Sequence, residues 1–238
     1  MAKKGSKAKR IVGLVLAVCI FLGGCILLLY PAVSQWVNDN YQSTVCAEYS
    51  DAVEELDDET AEQELKKAED YNDDLTESVE LLENPFMQSE AVDNGDYGNI
   101  LNATAEGVMA YLEIPEINVM LPIYHGVGDA ELKKGIGHLP ETSLPVGGES
   151  THCVLAGHSG MSNARLLTDL PKIQKGDVFY IHVYNKTLCY TVDQIKTVLP
   201  TNTADLTITQ GEDYVTLVTC TPYGVNTHRL LVRGTRTE

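Results

Sequence analysis

A cysteine, a histidine and an arginine of this 238-residue chain lie at the ends of predicted strands. The β-branched and apolar run Tyr214–Thr219 predicts a strand that ends at Cys220. A turn containing Pro222 follows, and a second strand begins near Arg229. His158, sixty-two residues before Cys220, follows another apolar run and a glycine. A thiol, an imidazole and a guanidinium suffice for thiolate attack on an acyl carbon, because they supply a nucleophile, a proton carrier and a fixed cation for the oxyanion.

Several neighbouring residues of the same types have simpler interpretations. His228 lies next to Arg229 and should point to the opposite face of the strand, so we interpret it as structural. Arg233 is interpreted as a charge on the outer surface. Cys153 and Cys189 lie in apolar runs that predict strands, which favours buried and unreactive thiols. With Cys220 as a free nucleophile, at most one disulfide is open to the other exported cysteines, which is no disulfide framework.

Five runs of the sequence, in this order and spacing, resemble the sortase family. They are Leu121–Gly126, Gly137–Leu139, Thr142–Gly148, Ala156–His158 and Thr216–Gly234. The similarity extends from about residue 72 to residue 236 and is greatest to class C, the pilus-assembling branch. It implies a sortase-type eight-stranded β-barrel with short helices.

The resemblance also implies roles for individual residues. Cys220 is the expected nucleophile, and His158 is the expected general acid that protonates the leaving amine. Arg229 is expected to bind the substrate carbonyl or the oxyanion. Thr219 is expected to support the same site through its hydroxyl or its backbone. No cofactor and no metal are expected.

The tripeptide Asn84, Pro85 and Phe86 resembles the lid of class C sortases, in which an Asp-Pro-aromatic motif covers the resting site. The family's acid pairs with the catalytic arginine, whereas Asn84 supplies no charge. We therefore expect a lid that Phe86 closes over the thiol but that is held more weakly. The simpler alternative is that Pro85 only ends a helix.

The N-terminal region predicts a membrane anchor. Residues 11–29 carry no charge and are apolar or glycine throughout, a length near the ~20 residues that cross a hydrocarbon core. Five basic residues precede this stretch, which predicts a cytoplasmic N-terminus and an extracellular remainder. A cleaved signal peptide is the alternative, although its apolar region is usually only about 7–15 residues long. The chain has no second apolar span, so we expect anchoring by this helix alone.

The net charge of −17 is unevenly distributed. The first ten residues carry +5, residues 39–90 carry −16 and the residues from 91 onwards carry −6. Since no basic stripe exists outside the N-terminal tail, nucleic acid is not an expected partner. The acidic block is interpreted as solvated helix surface.

Four segments are predicted: a cytoplasmic basic tail (1–10), a transmembrane anchor (11–30), an acidic helical segment with lid and linker (31–104) and a catalytic β-barrel (105–238). Apolar residues at three- and four-residue steps between about Thr44 and Leu82 predict two helices, with the break at Asn72. A short helix is predicted over Asn163–Leu170. The predicted strands are Val108–Ile114, Val119–Ile123, Thr151–Ala156, Val178–Val183, Leu188–Leu199, Tyr214–Thr221 and Arg229–Gly234.

The function implied by the resemblance is that of a membrane-anchored cysteine transpeptidase of a Gram-positive surface. It would cleave an LPxTG-like signal of a secreted pilin or surface protein and join the acyl group to a lysine of a pilin subunit. The alternative acceptor is a cell-wall peptide amine. Three other classes stay open: a zinc protein using Cys220, His158 and His228, a non-catalytic surface adhesin, and a cysteine protease.

Overall fold

The computed structural model describes residues 4–77, 97–104, 106–161 and 164–237. Within these residues the strands are β1 (Val108–Ile114), β2 (Val119–His125), β3 (Ile136–His138), β4 (Thr151–Ala156), β5 (Val178–Val183), β6 (Lys186–Val198), β7 (Asp213–Thr221) and β8 (His228–Arg236). They close into one barrel in the order β1-β2-β3-β4-β7-β8-β6-β5. The predicted mainly-β barrel is confirmed, and each of the seven predicted strands is present with its ends shifted by two residues or fewer.

The helices of the described residues are α1 (Lys4–Glu54), α2 (Asp58–Glu77) and the short α3 (Asp129–Lys134). Single turns of 3₁₀ helix cover Tyr97–Asn99, Pro115–Ile117, Leu170–Lys172 and Ala204–Leu206. By length and composition, α1 contains from Ile11 onwards a stretch apolar enough to cross a membrane, and the side chains of this stretch are largely exposed.

Two helical faces pack against the barrel. Val45, Cys46 and Tyr49 of α1 are buried, and Val45 and Tyr49 form a cluster with residues of β1 and β2. Ala61, Leu65 and Ala68 of α2 belong to the main core, at the four- and three-residue steps of one helical face. The acidic residues of α2 occupy its other faces. The amphipathic pattern thus serves intramolecular packing.

The predicted helix break at Asn72 is wrong. Helix α2 runs through Asn72 without interruption, and the break lies between Glu54 and Asp58. Asp57 caps α2 there, because its carboxylate accepts hydrogen bonds from the Thr60 backbone N–H (2.8 Å) and hydroxyl (2.9 Å). The Asn72 amide is buried and pairs with both backbone groups of Leu144, at 2.7 Å and 3.2 Å. A polar residue in the apolar stripe therefore marks a contact with the barrel.

We predict that Asn72→Ala lowers the free energy of unfolding by about 1–3 kcal/mol, because the buried N–H and C=O of Leu144 lose the Asn72 amide as a partner. Chemical denaturation of the full chain in detergent would measure this. Gln63→Ala, on the exposed face of the same helix, is the matched control and should change stability by no more than about 0.5 kcal/mol. Equal effects of the two substitutions would contradict the prediction.

Three further elements differ from the predictions. Strand β3 has only three residues, too few for an alternating pattern, and helix α3 was not predicted. The predicted helix over residues 163–170 is wrong for the described residues. They form turns and then the 3₁₀ turn at Leu170–Lys172, within which Pro171 has no N–H to continue a ladder.

Candidate active site

Cys220 and Arg229 face each other across two neighbouring strands. Cys220 is the register partner of Arg229 in the antiparallel pair of β7 and β8. Directly opposed residues of such a pair have their Cβ atoms about 4.5–5.5 Å apart, so the thiol and the guanidinium leave the sheet side by side. Both side chains are half-buried. The predicted proximity of these two residues follows directly from the strand register.

His158 lies one strand further along the same end of the barrel. Strands β4 and β7 are parallel, with Ala156 opposite Val218. The ladder continues beyond β4, because the Gly157 N–H donates to the carbonyl of Val218 at 3.0 Å. Extending this register by two residues brings His158 level with Cys220. Since neighbouring strands are about 4.8 Å apart, the order across the sheet is imidazole, thiol, guanidinium.

All three side chains share the outer face of the barrel. Val154 and Ala156 of β4, Val218 of β7 and Leu231 of β8 form a cluster outside the main core. Side chains alternate between faces along a strand, so His158, Cys220 and Arg229 continue the rows that these residues begin. The alternate residues of these strands, such as Leu217 and Leu230, point into the barrel and belong to the main core.

Two hydroxyl groups hold the segment around His158 against β7. Thr219 Oγ1 donates to the carbonyl of Gly157 at 2.8 Å, and Ser159 Oγ donates to the carbonyl of Cys220 at 2.7 Å. The residues before and after the histidine are thereby tied to the strand that carries the thiol. The Thr219 side chain is buried and faces away from Cys220, so its hydroxyl positions the His158 segment.

Gly157 allows this segment to approach its neighbours closely. A Cβ atom at Gly157 would lie 2.7 Å from Cδ1 of Ile136 and 2.8 Å from Cδ1 of Leu167. The backbone beyond it is fixed in turn, since the Leu167 N–H donates to the carbonyl of His158 at 3.1 Å. The glycine before the histidine therefore permits tight packing, whereas its sequence pattern indicated only the end of a strand.

The environment of His158 favours its neutral form. Partial burial lowers the pKa of this imidazole below its ordinary value; the Asp129 carboxylate raises the pKa and the Lys133 ammonium lowers it. The histidine is half-buried and can therefore reach both solvent and a bound substrate.

Arg229 and the two nearby basic residues, His228 and Arg233, make contacts in different places. Arg229 Nη1 donates to the carbonyls of Asn226 (3.3 Å) and His228 (3.2 Å), which directs the guanidinium along the β7–β8 turn. His228 pairs with Thr221 and therefore lies on the opposite face, as expected. Arg233 forms an ion pair with Asp193, in agreement with its interpretation as a surface charge. The zinc site considered above would require His228 on the same face of the sheet as Cys220, but His228 lies on the opposite face.

Cys220 differs in position from Cys46, Cys153 and Cys189. All six cysteines of the chain lie in the described residues, and all are free thiols. Burial raises the pKa of Cys46 to about 12 and raises that of Cys153 well above its ordinary value, so both stay protonated. The Cys189 carbonyl accepts the Thr237 N–H at 2.9 Å.

Two of the remaining histidines are buried and neutral. His138 Nδ1 accepts from the Tyr97 hydroxyl at 2.8 Å, and its Nε2 donates to the carbonyl of Ser143 at 2.9 Å. His152 Nδ1 donates to the carbonyl of Thr207 at 2.9 Å. Burial lowers the pKa of both imidazoles to about 4. These two residues hold loops against the barrel.

We predict that stability falls as the pH drops from about 6.5 to about 4. In this window the unfolded chain protonates His138 and His152 while the folded chain keeps them neutral, so unfolding takes up protons. The loss is about 1.4 kcal/mol per pH unit for each histidine. Denaturation curves at several pH values would measure the slope, and His152→Gln should lower it by about 1.4 kcal/mol per pH unit, the contribution of that one histidine. A slope unchanged by that substitution would contradict the prediction.

The predicted lid residues Asn84, Pro85 and Phe86 lie outside the described residues. Their role stays a prediction.

Comparison with known proteins identifies relatives with the same architecture. The family model described as Sortase domain matches residues 112–237. The chain is 32% identical over 117 residues to Sortase A of Streptococcus agalactiae, which covers 48% of this chain and 47% of that protein. The chain thus spans about half the length of this curated relative.

Solved structures match over more of the chain. Sortase C of Streptococcus pneumoniae is 40% identical with a TM-score of 0.74, covering 82% of this chain and 97% of that one. Sortase C-1 of Actinomyces oris is 48% identical with a TM-score of 0.70, covering 76% of this chain and 99% of that one. These neighbours confirm the resemblance to class C that the sequence runs predicted.

Proposed function

Because this chain belongs to the sortase family, whose members are cysteine transpeptidases, we propose that it joins pilin subunits through an LPxTG-like sorting signal. The observation that carries the proposal is the register that sets Cys220 opposite Arg229 and level with His158. The similarity to class C structures supports the choice of substrate, since the Streptococcus pneumoniae enzyme is described in terms of pilin substrate specificity.

The first half of the reaction forms a thioester. The Cys220 thiolate attacks the carbonyl carbon of the signal's threonine, and the negative charge moves to the carbonyl oxygen. When this tetrahedral intermediate collapses, the C–N bond to glycine breaks and the leaving amine takes a proton from protonated His158, which becomes neutral. The acyl group is then held on sulfur.

The second half transfers the acyl group to a lysine amine of another subunit. The amine attacks the thioester carbon and gives its proton to the neutral His158 imidazole, while the sulfur departs as thiolate. Both groups return to their starting protonation states. The imidazole thus needs access to both of its forms.

Arg229 stabilises the oxyanion in both halves. Its planar guanidinium can donate two parallel hydrogen bonds, whereas a lysine ammonium offers a point charge. We predict that Arg229→Lys lowers kcat by about 10²- to 10³-fold, the usual effect of removing an oxyanion donor. Arg233→Lys, held by Asp193 further along the same strand, is the matched control and should leave kcat unchanged. Similar losses in both variants would refute this role of Arg229.

The orientation in the membrane and the protein partners also belong to the proposal. The apolar part of α1 would cross the membrane with the basic N-terminus in the cytoplasm and the barrel outside. The partners would then be secreted pilin or surface proteins that carry an LPxTG-like signal.

Two assays separate the candidate acceptors and activities. Incubation with purified pilin should produce ladders of covalently linked subunits, whereas transfer only to a cell-wall peptide amine would favour the alternative acceptor. With a signal peptide and an added amine, mass spectrometry should show the amide product. Formation of the free acid alone would indicate a protease.

A further inference from the structure

Helix α1 contacts the barrel at Gln42, on the side of the end that carries Cys220, His158 and Arg229, which we call the catalytic end. The Gln42 amide donates to the carbonyl of Lys134 at 3.3 Å. Lys134 is the last residue of α3, and β3 begins two residues later at Ile136. Ile136 packs against Gly157, the residue before His158. The first of these contacts along α1 is therefore beside the active site.

The later part of α1 lies at the opposite end. The Tyr49 hydroxyl donates to the carbonyl of Met109 at 3.0 Å and accepts from the Tyr184 N–H at 2.9 Å. Tyr184 lies in the turn before β6, whose thirteen residues end at Val198, the partner of Arg229. The turn is thus remote from the active site. Helix α1 passes along the barrel from the catalytic end to the far end, so the residues before Gln42 continue in the direction of the catalytic end.

This direction determines which end of the barrel faces the membrane. The apolar stretch of α1 ends near Tyr30, twelve residues before Gln42. At 1.5 Å per residue these twelve residues span about 18 Å. The headgroup layer takes up about 5–8 Å of this distance on each side of a bilayer. The catalytic end is therefore the end of the barrel nearer to the lipid interface.

Exposed apolar side chains are concentrated at the same end. Among the described residues after α1, the large apolar side chains most exposed to solvent are those of Met120, Leu199, Tyr223 and Val225. Leu199 follows Val198, the partner of Arg229, while Tyr223 and Val225 lie in the turn that joins the end of β7 to β8. We call Leu199, Tyr223 and Val225 the apolar rim. Its three side chains are each more than half exposed, at 57%, 66% and 64%.

We propose that the apolar rim docks on the surface of the membrane that holds α1, so that Cys220 works at the lipid interface. The proposal rests on the membrane anchoring proposed above. An acyl donor would then meet the thiol at the surface of the bilayer. The partner of this surface is the lipid headgroup layer.

The chemistry of the contact is apolar. The residues from 91 onwards carry a net charge of −6, so anionic lipids do not attract the barrel as a whole. Aromatic and aliphatic side chains at the interface bind by burying apolar area, and tyrosine is among the residues enriched there. Docking should therefore depend little on ionic strength.

The test places a single tryptophan at either end of the barrel in the full-length protein, reconstituted in phosphatidylcholine vesicles with nitroxide-labelled headgroups. Trp36, the one natural tryptophan, is replaced with phenylalanine. Tyr223→Trp then reports on the rim, and Asn185→Trp, exposed at the far end, is the matched control. We expect a blue shift and a loss of fluorescence at position 223, unaffected by added salt, and no quenching at position 185.

Equal fluorescence changes at the two positions, or quenching at position 185 alone, would overturn the proposal. Transfer of a soluble signal peptide to an amine, measured on the same vesicles, keeps this outcome separate from the proposed function. Active protein without quenching at position 223 would refute the docking while leaving the transpeptidase assignment intact. Sedimentation of the vesicles reports independently on anchoring.

Discussion

Cys220→Ala is expected to abolish transpeptidation, with a loss of kcat on the order of 10⁶-fold, as when the nucleophilic serine of a serine protease is removed. The reason is geometric as well as chemical. Cys220 lies at a strand end opposite an arginine, whereas Cys46 and Cys153 are buried and held protonated. No other thiol of the described barrel can take its place beside Arg229. Product formation from a signal peptide and an amine would measure the loss.

Cys189→Ala is the matched control for this substitution. Cys189 is also half-buried, but it lies on β6 opposite Tyr180 of β5, away from the catalytic end. The control should retain the full rate. Residual transpeptidation by Cys220→Ala at more than a trace would mean that the acyl group is not carried on this sulfur.

His158→Gln is expected to lower kcat by about 10²- to 10⁴-fold, the usual contribution of a positioned general acid. Glutamine keeps much of the size and polarity of the imidazole but cannot exchange a proton at neutral pH. The pH profile should change as well, because the limb that reports on the His158 imidazole disappears. Burial lowers the pKa of this group, so the limb of the wild-type profile should lie below the ordinary pKa of histidine, which is about 6.5.

His228→Gln separates this effect from a merely structural one. His228 is adjacent in sequence to Arg229 but lies on the opposite face of β8, where its Nδ1 contacts the Thr227 hydroxyl at 2.9 Å. Its replacement should preserve both kcat and the pH limb. A pH profile of His158→Gln identical to that of the wild type would contradict proton transfer by His158.

The positions of the three candidate residues could be predicted from the sequence because each lies where an apolar run ends. Strand ends show in a sequence as a change from β-branched residues to glycine, proline and polar residues. The family resemblance then selected His158 among six histidines. The strand register could not be predicted in this way, because the pairing of Cys220 with Arg229 depends on the length of the β7–β8 turn.

Other features could not be predicted from local patterns because they depend on contacts distant in sequence. The sequence around Asn72 predicts a helix break only because its contact with Leu144, seventy-two residues later, is not visible locally. Thr219 and Ser159 bracket His158 through backbone carbonyls, and nothing in their immediate sequence indicates this. Strand β3 is too short to show a period, and it owes its place to the neighbouring β2 and β4.

The central claim is that sulfur, imidazole and guanidinium from three adjacent strands act on one acyl group. The most direct measurement is peptide mass spectrometry of the full-length protein after brief incubation with a sorting-signal peptide in the absence of an amine. We predict one acyl adduct, located on Cys220 and removed by hydroxylamine, which accumulates less in Arg229→Lys. An adduct on another residue, or turnover without any adduct on Cys220, would contradict the account.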